Sequence, residues 1–210
     1  SERIFSMTGQ QIPLSLRPMI GAVLAGGESR RFGRDKATTE IEGVPMVLRA
    51  SRALAAVCDE VVIVSSRSVS ESWGTVLRDL RPGFGPLAGI ESALHHAFNN
   101  QAAAVFVLAT DLPSVGPEVI EAVALGAVES DANRVLAAAA SRRGDPDFEP
   151  LCSVYRTECV DIVTGLLDKG ERAARSLFEA VDGKKVVLNS GSARAVSVNV
   201  NLPADLDRAL

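Results

Sequence analysis

Thirteen residues, Leu24 to Lys36, hold much of the chemistry the sequence offers. They read LAGGESRRFGRDK. Gly26 and Gly27 have no side chains, so a phosphate can approach their backbone N–H groups closely. Arg30, Arg31, Arg34 and Lys36 place four cations on the same stretch. Such cations repel one another unless an anion compensates, and a nucleoside triphosphate would do so. The stretch matches neither G-x-x-x-x-G-K-S/T nor G-x-G-x-x-G, so a Walker loop and a dinucleotide fingerprint are both disfavoured. An exposed charged turn is the competing reading.

A second candidate is Asp111 in VLATDLP (107–113). A carboxylate just past a buried strand can hold Mg²⁺. Alone it reads equally well as a turn or helix-capping aspartate. A triphosphate loop on the same edge would bring Mg²⁺ and favours the metal reading. A third candidate is VSVNVNLPADL (196–206), in which Asn199 and Asn201 alternate with apolar residues and share one face of an expected strand. Their amides could complete a Mg²⁺ shell or bind phosphate, and a cap before Pro203 is the alternative for one of them. His95 and His96 are adjacent on an expected helix, so they diverge and cannot share a metal; surface positions are expected for both. Cys58, Cys152 and Cys159 are odd in number and lack C-x-x-C spacing, which suits reduced structural thiols.

These residues need a frame, and apolar runs alternating with amphipathic stretches supply one. IGAVLA (20–25) and EVVIVS (60–65) read as buried strands. Between them Val47, Ala50, Ser51, Leu54 and Val57 recur at helical spacing. TVLRD (75–79) is a third strand. In GPLAGIESALHHAF (85–98) a stripe of Leu87, Ile90, Leu94 and Phe98 predicts a helix. AAAVFVLATD (102–111) predicts a strand and GPEVIEAVALGAV (116–128) a helix with Pro117 in its first turn. RVLAAAA (134–140) and LCSVY (151–155) predict strands around a loop, SRRGDPDFEP. ECVDIVTGLLDKG and ERAARSLFEAV predict helices, with Gly183 as a stop. KKVVL and RAVSVNV predict strands, and PADLDRAL a last helix. Strands alternating with helices predict a three-layer α/β domain with a mostly parallel sheet.

The 210 residues suit one domain, and a 47% hydrophobic content allows a sizeable core. A net charge of −4 argues against a broad nucleic-acid surface, which must be basic. No stretch is apolar enough to cross a membrane, and residues 1–18 lack a signal-peptide core. A cytoplasmic protein is expected. Residues 1–18 are read as an N-terminal extension, disordered or foreign to the native chain, ahead of one domain over 19–210.

Taken in order, the motifs resemble the molybdenum cofactor guanylyltransferase family, the MobA-like nucleotidyltransferases. LAGGESRRFGRDK is similar to that family's signature loop, and GPLAGIESAL, LATDLPSV, GERAARSLF and VNVNLPADL to its later motifs. The resemblance runs from Met19 to the C-terminus and implies a Rossmann-like nucleotidyltransferase fold of α/β/α layers. It implies Mg²⁺-dependent transfer of GMP from GTP to the terminal phosphate of molybdopterin, releasing pyrophosphate. Leu24, Ala25, Gly26 and Gly27 would contact the nucleotide, Lys36 and Arg31 the triphosphate, and Asp79 the GTP. Gly85, Pro86 and Leu87 would border base and ribose. Asp111 would carry Mg²⁺, with Asn199 and Asn201 at the family's paired polar positions. Arg172 and Arg175 would lie on the pterin side. Transient contacts with cofactor-biosynthesis proteins or apo-molybdoenzymes are implied as well. Phe32 replaces a usual methionine, Leu202 a frequent threonine, and DFEPLCSVY a more polar pterin-side segment. The open alternatives are a cytidylyl, sugar-phosphate or lactyl-phosphate nucleotidyltransferase, or a non-catalytic GTP-binding adaptor.

Overall fold

The computed structural model describes residues 12–25, 38–66, 71–128, 136–142, 147–197 and 200. Seven strands form the central sheet: β1 (Met19–Leu24), β4 (Glu60–Ser65), β5 (Thr75–Arg78), β6 (Ala104–Ala109), β7 (Ala137–Arg142), β8 (Phe148–Arg156) and β9 (Lys184–Leu188). Their spatial order is β5-β4-β1-β6-β8-β7-β9. Only β8 pairs antiparallel with its neighbours, so the mostly parallel sheet expected from the sequence is present. A separate two-stranded hairpin joins β2 (Glu40–Ile41) and β3 (Val44–Pro45). It turns on Glu42 and Gly43, both with positive φ, which is the geometry a tight hairpin needs. The sequence reading passed over this hairpin because two-residue strands show no periodicity.

Among the described residues, six α-helices cover the sheet: α1 (Met46–Ala55), α2 (Pro86–Asn99), α3 (Pro117–Gly126), α4 (Val160–Asp168), α5 (Ala174–Ala180) and α6 (Ser190–Ala195). Strand side chains alternate between faces. Met19, Val23, Phe106 and Leu108 face one core with Val47, Leu54, Val119 and Ile120 of α1 and α3. Ile20, Ala22, Val105 and Val107 face the other with Leu87, Ile90 and Leu94 of α2, Val163 of α4 and Leu177 of α5. Ahead of β1, Ile12 and Leu16 are buried in the first core, and Pro18 O accepts the Ala103 N–H at 2.8 Å.

Four sequence expectations are corrected. RAVSVNV was expected as a strand, yet Arg194 and Ala195 end α6. Asn189 Oδ1 accepts the Ser192 N–H at 2.9 Å and starts that helix, a cap that outweighs the apolar alternation downstream. The expected loop over 141–150 is shorter: β7 runs to Arg142 and β8 starts at Phe148, with Ser141 opposite Phe148. Phe98 leaves the apolar stripe of α2 and is 60% exposed, while Ala97 takes the buried position. His95 and His96 diverge as expected but are half-buried rather than at the surface. His95 Nε2 faces Thr164 Oγ1 at 3.4 Å and His96 Nε2 faces Glu60 Oε1 at 3.2 Å. The three cysteines are free and buried, as structural thiols should be. Burial pushes the Cys159 thiol up to about 12, far from a reactive thiolate.

Candidate active site at the carboxyl edge of the sheet

The chain leaves β1 toward β4 and β5 on one side and later returns to β6 on the other. The reversal between β1 and β6 opens a crevice at their carboxyl ends, where open α/β sheets bind ligands. Leu24 ends β1 there, in register with Val64 of β4 and Ala109 of β6. Ala25 N–H donates to Val64 O at 2.9 Å, and Thr110 N–H to Leu24 O at 3.4 Å. Beneath Leu24 lies Gly89 of α2, where a Cβ would sit 3.2 Å from a Leu24 methyl. The helix approaches β1 closely because that glycine is bare.

Asp111 follows β6 at the same edge and is half-buried. Its backbone O accepts the Val200 N–H at 3.0 Å, and Val200 is buried against Ile41 and Met46. Val200 thus lies beside Asp111, and of the expected strand residues the described ones, 194–197 and Val200, are not in a strand. Asn199 and Asn201 flank Val200 in sequence but lie outside the described residues, as do Gly26, Gly27, Arg31 and Lys36. Among the described residues, no three His, Cys, Asp or Glu side chains gather into a metal cluster.

Asp79 follows β5, three strand spacings from β6, or roughly 14 Å. That span suits an extended nucleotide lying across Leu24 and Ala25. Burial pushes the Asp79 carboxyl above its ordinary value; a hydrogen bond from the Arg81 N–H acts against this, and the Glu91 charge adds to it. The loop then reaches Gly85 and the first turn of α2, with Pro86 exposed and Leu87 buried. Leu87 N–H donates to Arg172 O at 3.2 Å, and the Arg172 guanidinium stands over the Phe84 ring at 4.8 Å. Arg172, expected beside the pterin, thus touches the loop expected beside the base.

Arg175 lies further along the edge. It pairs with Asp147 and stands over the Phe148 ring at 4.3 Å, while Phe148 stacks on Phe178 at 4.1 Å. The Arg175 hydrogen bond holds the Asp147 carboxyl below its usual range. A cavity of about 170 Å³ adjoins this group, lined in part by Ser141, Arg142, Asp147, Glu149 and Ser197. The sequence reading missed Arg142, Asp147 and the Phe148 platform. Their signal was the cationic and acidic content of SRRGDPDFEP, read there only as a turn. It also missed the ion pair of Arg81 with the buried Glu91, next to Asp79.

A family profile described as "MobA-like NTP transferase domain" matches residues 21–186, most of the chain. A relative from Mycobacterium ulcerans, named "Probable molybdenum cofactor guanylyltransferase", is 33% identical over 90% of this chain and 91% of its own. Its namesake from Mycobacterium tuberculosis is 36% identical over 90% and 92%. The crystal structure of molybdopterin-guanine dinucleotide biosynthesis protein A from Archaeoglobus fulgidus superposes with a TM-score of 0.68 at 25% identity, covering 91% of this chain and 96% of its own. A crystal structure of a protein from Aquifex aeolicus gives 0.70 at 26% identity, covering 92% and 98%. The two halves of the carboxyl edge, the switch-point crevice and these likenesses agree: the chain belongs to the MobA-like NTP transferase family and is a nucleotidyltransferase.

Proposed function

We propose that this chain transfers GMP from GTP to the terminal phosphate of molybdopterin, giving the guanine dinucleotide and pyrophosphate. The observation that supports it most is the placement of Asp79 and Asp111 on either side of Leu24 and Ala25 at the β1/β6 switch point. The names of the relatives supply the substrates. In this reading the base end lies by Asp79, Gly85, Pro86 and Leu87, the sugar and α-phosphate cross Leu24 and Ala25, and Asp111 faces the reacting phosphate. Gly26, Gly27, Arg31 and Lys36 would receive the β- and γ-phosphates. Arg172 and Arg175 would receive the acceptor.

The acceptor phosphate is ionised at neutral pH and needs no general base. Its attack on the α-phosphorus brings two anions together, and catalysis then rests on positioning and charge compensation. Asp111, with Asn199 and Asn201, would hold Mg²⁺, which when bound supplies Lewis-acid stabilisation of the phosphates. Lys36 and Arg31 would neutralise the leaving pyrophosphate. Among the described residues, no helix is long and apolar enough to cross a membrane. We place the reaction in the cytoplasm, with transient contacts to cofactor-biosynthesis proteins or apo-molybdoenzymes.

The test is pyrophosphate release from GTP, CTP and ATP with Mg²⁺ and molybdopterin. Preference for GTP supports the proposal. Preference for CTP makes the chain a cytidylyltransferase, and GTP binding without turnover makes it an adaptor.

A further inference from the structure

Glu91 lies in the second turn of α2 with its side chain only 2% exposed. A carboxylate stays in such a place only with a partner. That partner is Arg81, whose Nε donates to Glu91 Oε2 at 3.0 Å. Through Nη1 the same guanidinium donates to Oδ1 of Asp168, the last residue of α4, at 2.7 Å. One arginine thus ties the β5–α2 loop to two helices.

The loop's backbone is fixed by the same arrangement. Arg81 N–H donates to Asp79 Oδ1 at 3.0 Å. Leu80 N–H donates to Ser92 Oγ at 2.9 Å, and that hydroxyl donates to Ala88 O at 3.0 Å. The turn that presents Asp79 is therefore set by side chains reaching it from α2 and α4. Among the described residues Asp79 accepts the Arg81 N–H through Oδ1, and a carboxylate with one such bond retains capacity for donors from outside. Guanine offers such donors at N1 and at its exocyclic amino group, and hypoxanthine lacks the second.

We propose that Arg81 is a positioning residue of the nucleotide site: clamped between Glu91 and Asp168, it holds the backbone N–H that aims the Asp79 carboxylate at the base. The proposal rests on the reading of Asp79 as a GTP contact. An arginine serving only stability could be exchanged, together with its buried partner, for uncharged groups without consequence for the substrate. A positioning arginine could not.

The test compares Arg81→Met/Glu91→Gln with Asp168→Asn. The paired change avoids stranding the buried carboxylate, and Asp168 is 62% exposed, so its variant keeps the fold. Pyrophosphate release is measured with GTP and ITP, alongside melting temperature. The paired variant is expected to raise the KM for GTP about tenfold, the size of one charge-assisted hydrogen bond, at nearly constant kcat. The KM for ITP should rise less, so the GTP/ITP preference narrows. Asp168→Asn should move the same way by about two- to threefold. In an Asp79→Asn background, neither change should add to the loss. A lowered melting temperature with unchanged GTP KM and GTP/ITP ratio makes Arg81 a structural staple and overturns the proposal. So do losses that add fully to those of Asp79→Asn. Asp79→Asn alone judges the underlying reading: an unchanged GTP KM there removes Asp79 from the site. A raised KM there, with both Arg81-clamp variants unaffected, removes only Arg81.

Discussion

Gly85→Ala tests the seam between the two sides of the site. Gly85 has φ 78° and ψ −172°, a region that is essentially glycine's alone. Forcing alanine into it costs on the order of 1–3 kcal/mol. The new Cβ would also stand 3.0 Å from Arg172 O and 3.4 Å from Arg172 Cβ. Arg172 O is the acceptor for the Leu87 N–H in the first turn of α2. Displacing it weakens that bond, adding about 1 kcal/mol. The sum is roughly 2–4 kcal/mol, and at about 2–4 °C per kcal/mol for a chain of this size the melting temperature should fall by about 5–15 °C. The GTP KM should rise as well, because the displaced turn borders the base in the proposed site. Gly83→Ala is the control: φ is 84° there too, but a Cβ would meet nothing within 4 Å. It should cost only the local strain, about 1 kcal/mol, and leave GTP KM alone. Melting and pyrophosphate-release assays on both variants decide the matter. If Gly85→Ala is no worse than Gly83→Ala in either measurement, the contact with Arg172 is not what requires glycine.

Asp111→Asn should keep the fold and lower turnover by about a hundred- to a thousandfold, roughly 3–4 kcal/mol of transition-state stabilisation, with partial recovery in excess Mg²⁺ or Mn²⁺. A metal titration giving identical curves for both proteins would return Asp111 to a turn residue. Lys36→Ala should weaken GTP binding at unchanged melting temperature; a collapsed fold with normal affinity would make that lysine structural. Replacing Cys58, Cys152 and Cys159 together by alanine should lower the melting temperature through lost packing yet preserve turnover at 25 °C. Lost turnover in the folded variant would expose a thiol step. For Asp147 the sign is set by its lowered pKa: its ion pair with Arg175 contributes stability above the ordinary aspartate range, and this is lost as pH falls through the lowered value. Arg175→Gln should therefore return the Asp147 titration, followed by carboxyl NMR, toward about 3.9; an unmoved titration would remove Arg175 as the cause.

The frame was legible because burial imposes period. β4 and β9 match their apolar runs residue for residue and β6 lies within its run; β6 is buried throughout and β4 over residues 62–65, as a sheet between helices demands, while β9, at the sheet edge, exposes alternate residues. Failures came where a local hydrogen bond or a long-range partner outweighs period. Asn189 starts α6 in a stretch whose alternation reads as strand. β7 and β8 extend into a polar, turn-rich stretch because each is the other's partner. The site divides the same way. Asp111 could be singled out from its place after a buried strand, at the edge where open α/β sheets bind ligands, whereas Leu24, Ala25 and Asp79 were reached through the family resemblance; the fold sets all four along that one edge. Glu91 could not, because a glutamate within a helix reads as a solvent-facing residue until the fold brings up its partner. Arg81 is 10 positions from Glu91 and 87 from Asp168 in the chain, separations no local pattern reveals.

Those separations also carry a physical consequence. The β5–α2 loop is stitched to residues 168–172 at both of its ends, by Arg81 to Asp168 and by Leu87 to Arg172 O, with Phe84 under the Arg172 guanidinium between them. The β5–α2 loop, read as the nucleotide-base loop, and the segment read as the acceptor side are therefore one packed unit. A displacement at Arg172 must either break the Leu87 hydrogen bond, at about 1 kcal/mol, or carry the loop with it. Substitutions at Arg172, which remove the guanidinium over Phe84 and so loosen the loop on that side, should therefore alter nucleotide KM, whereas those at Arg175, whose described contacts run to Asp147, Phe148 and Glu179, should not.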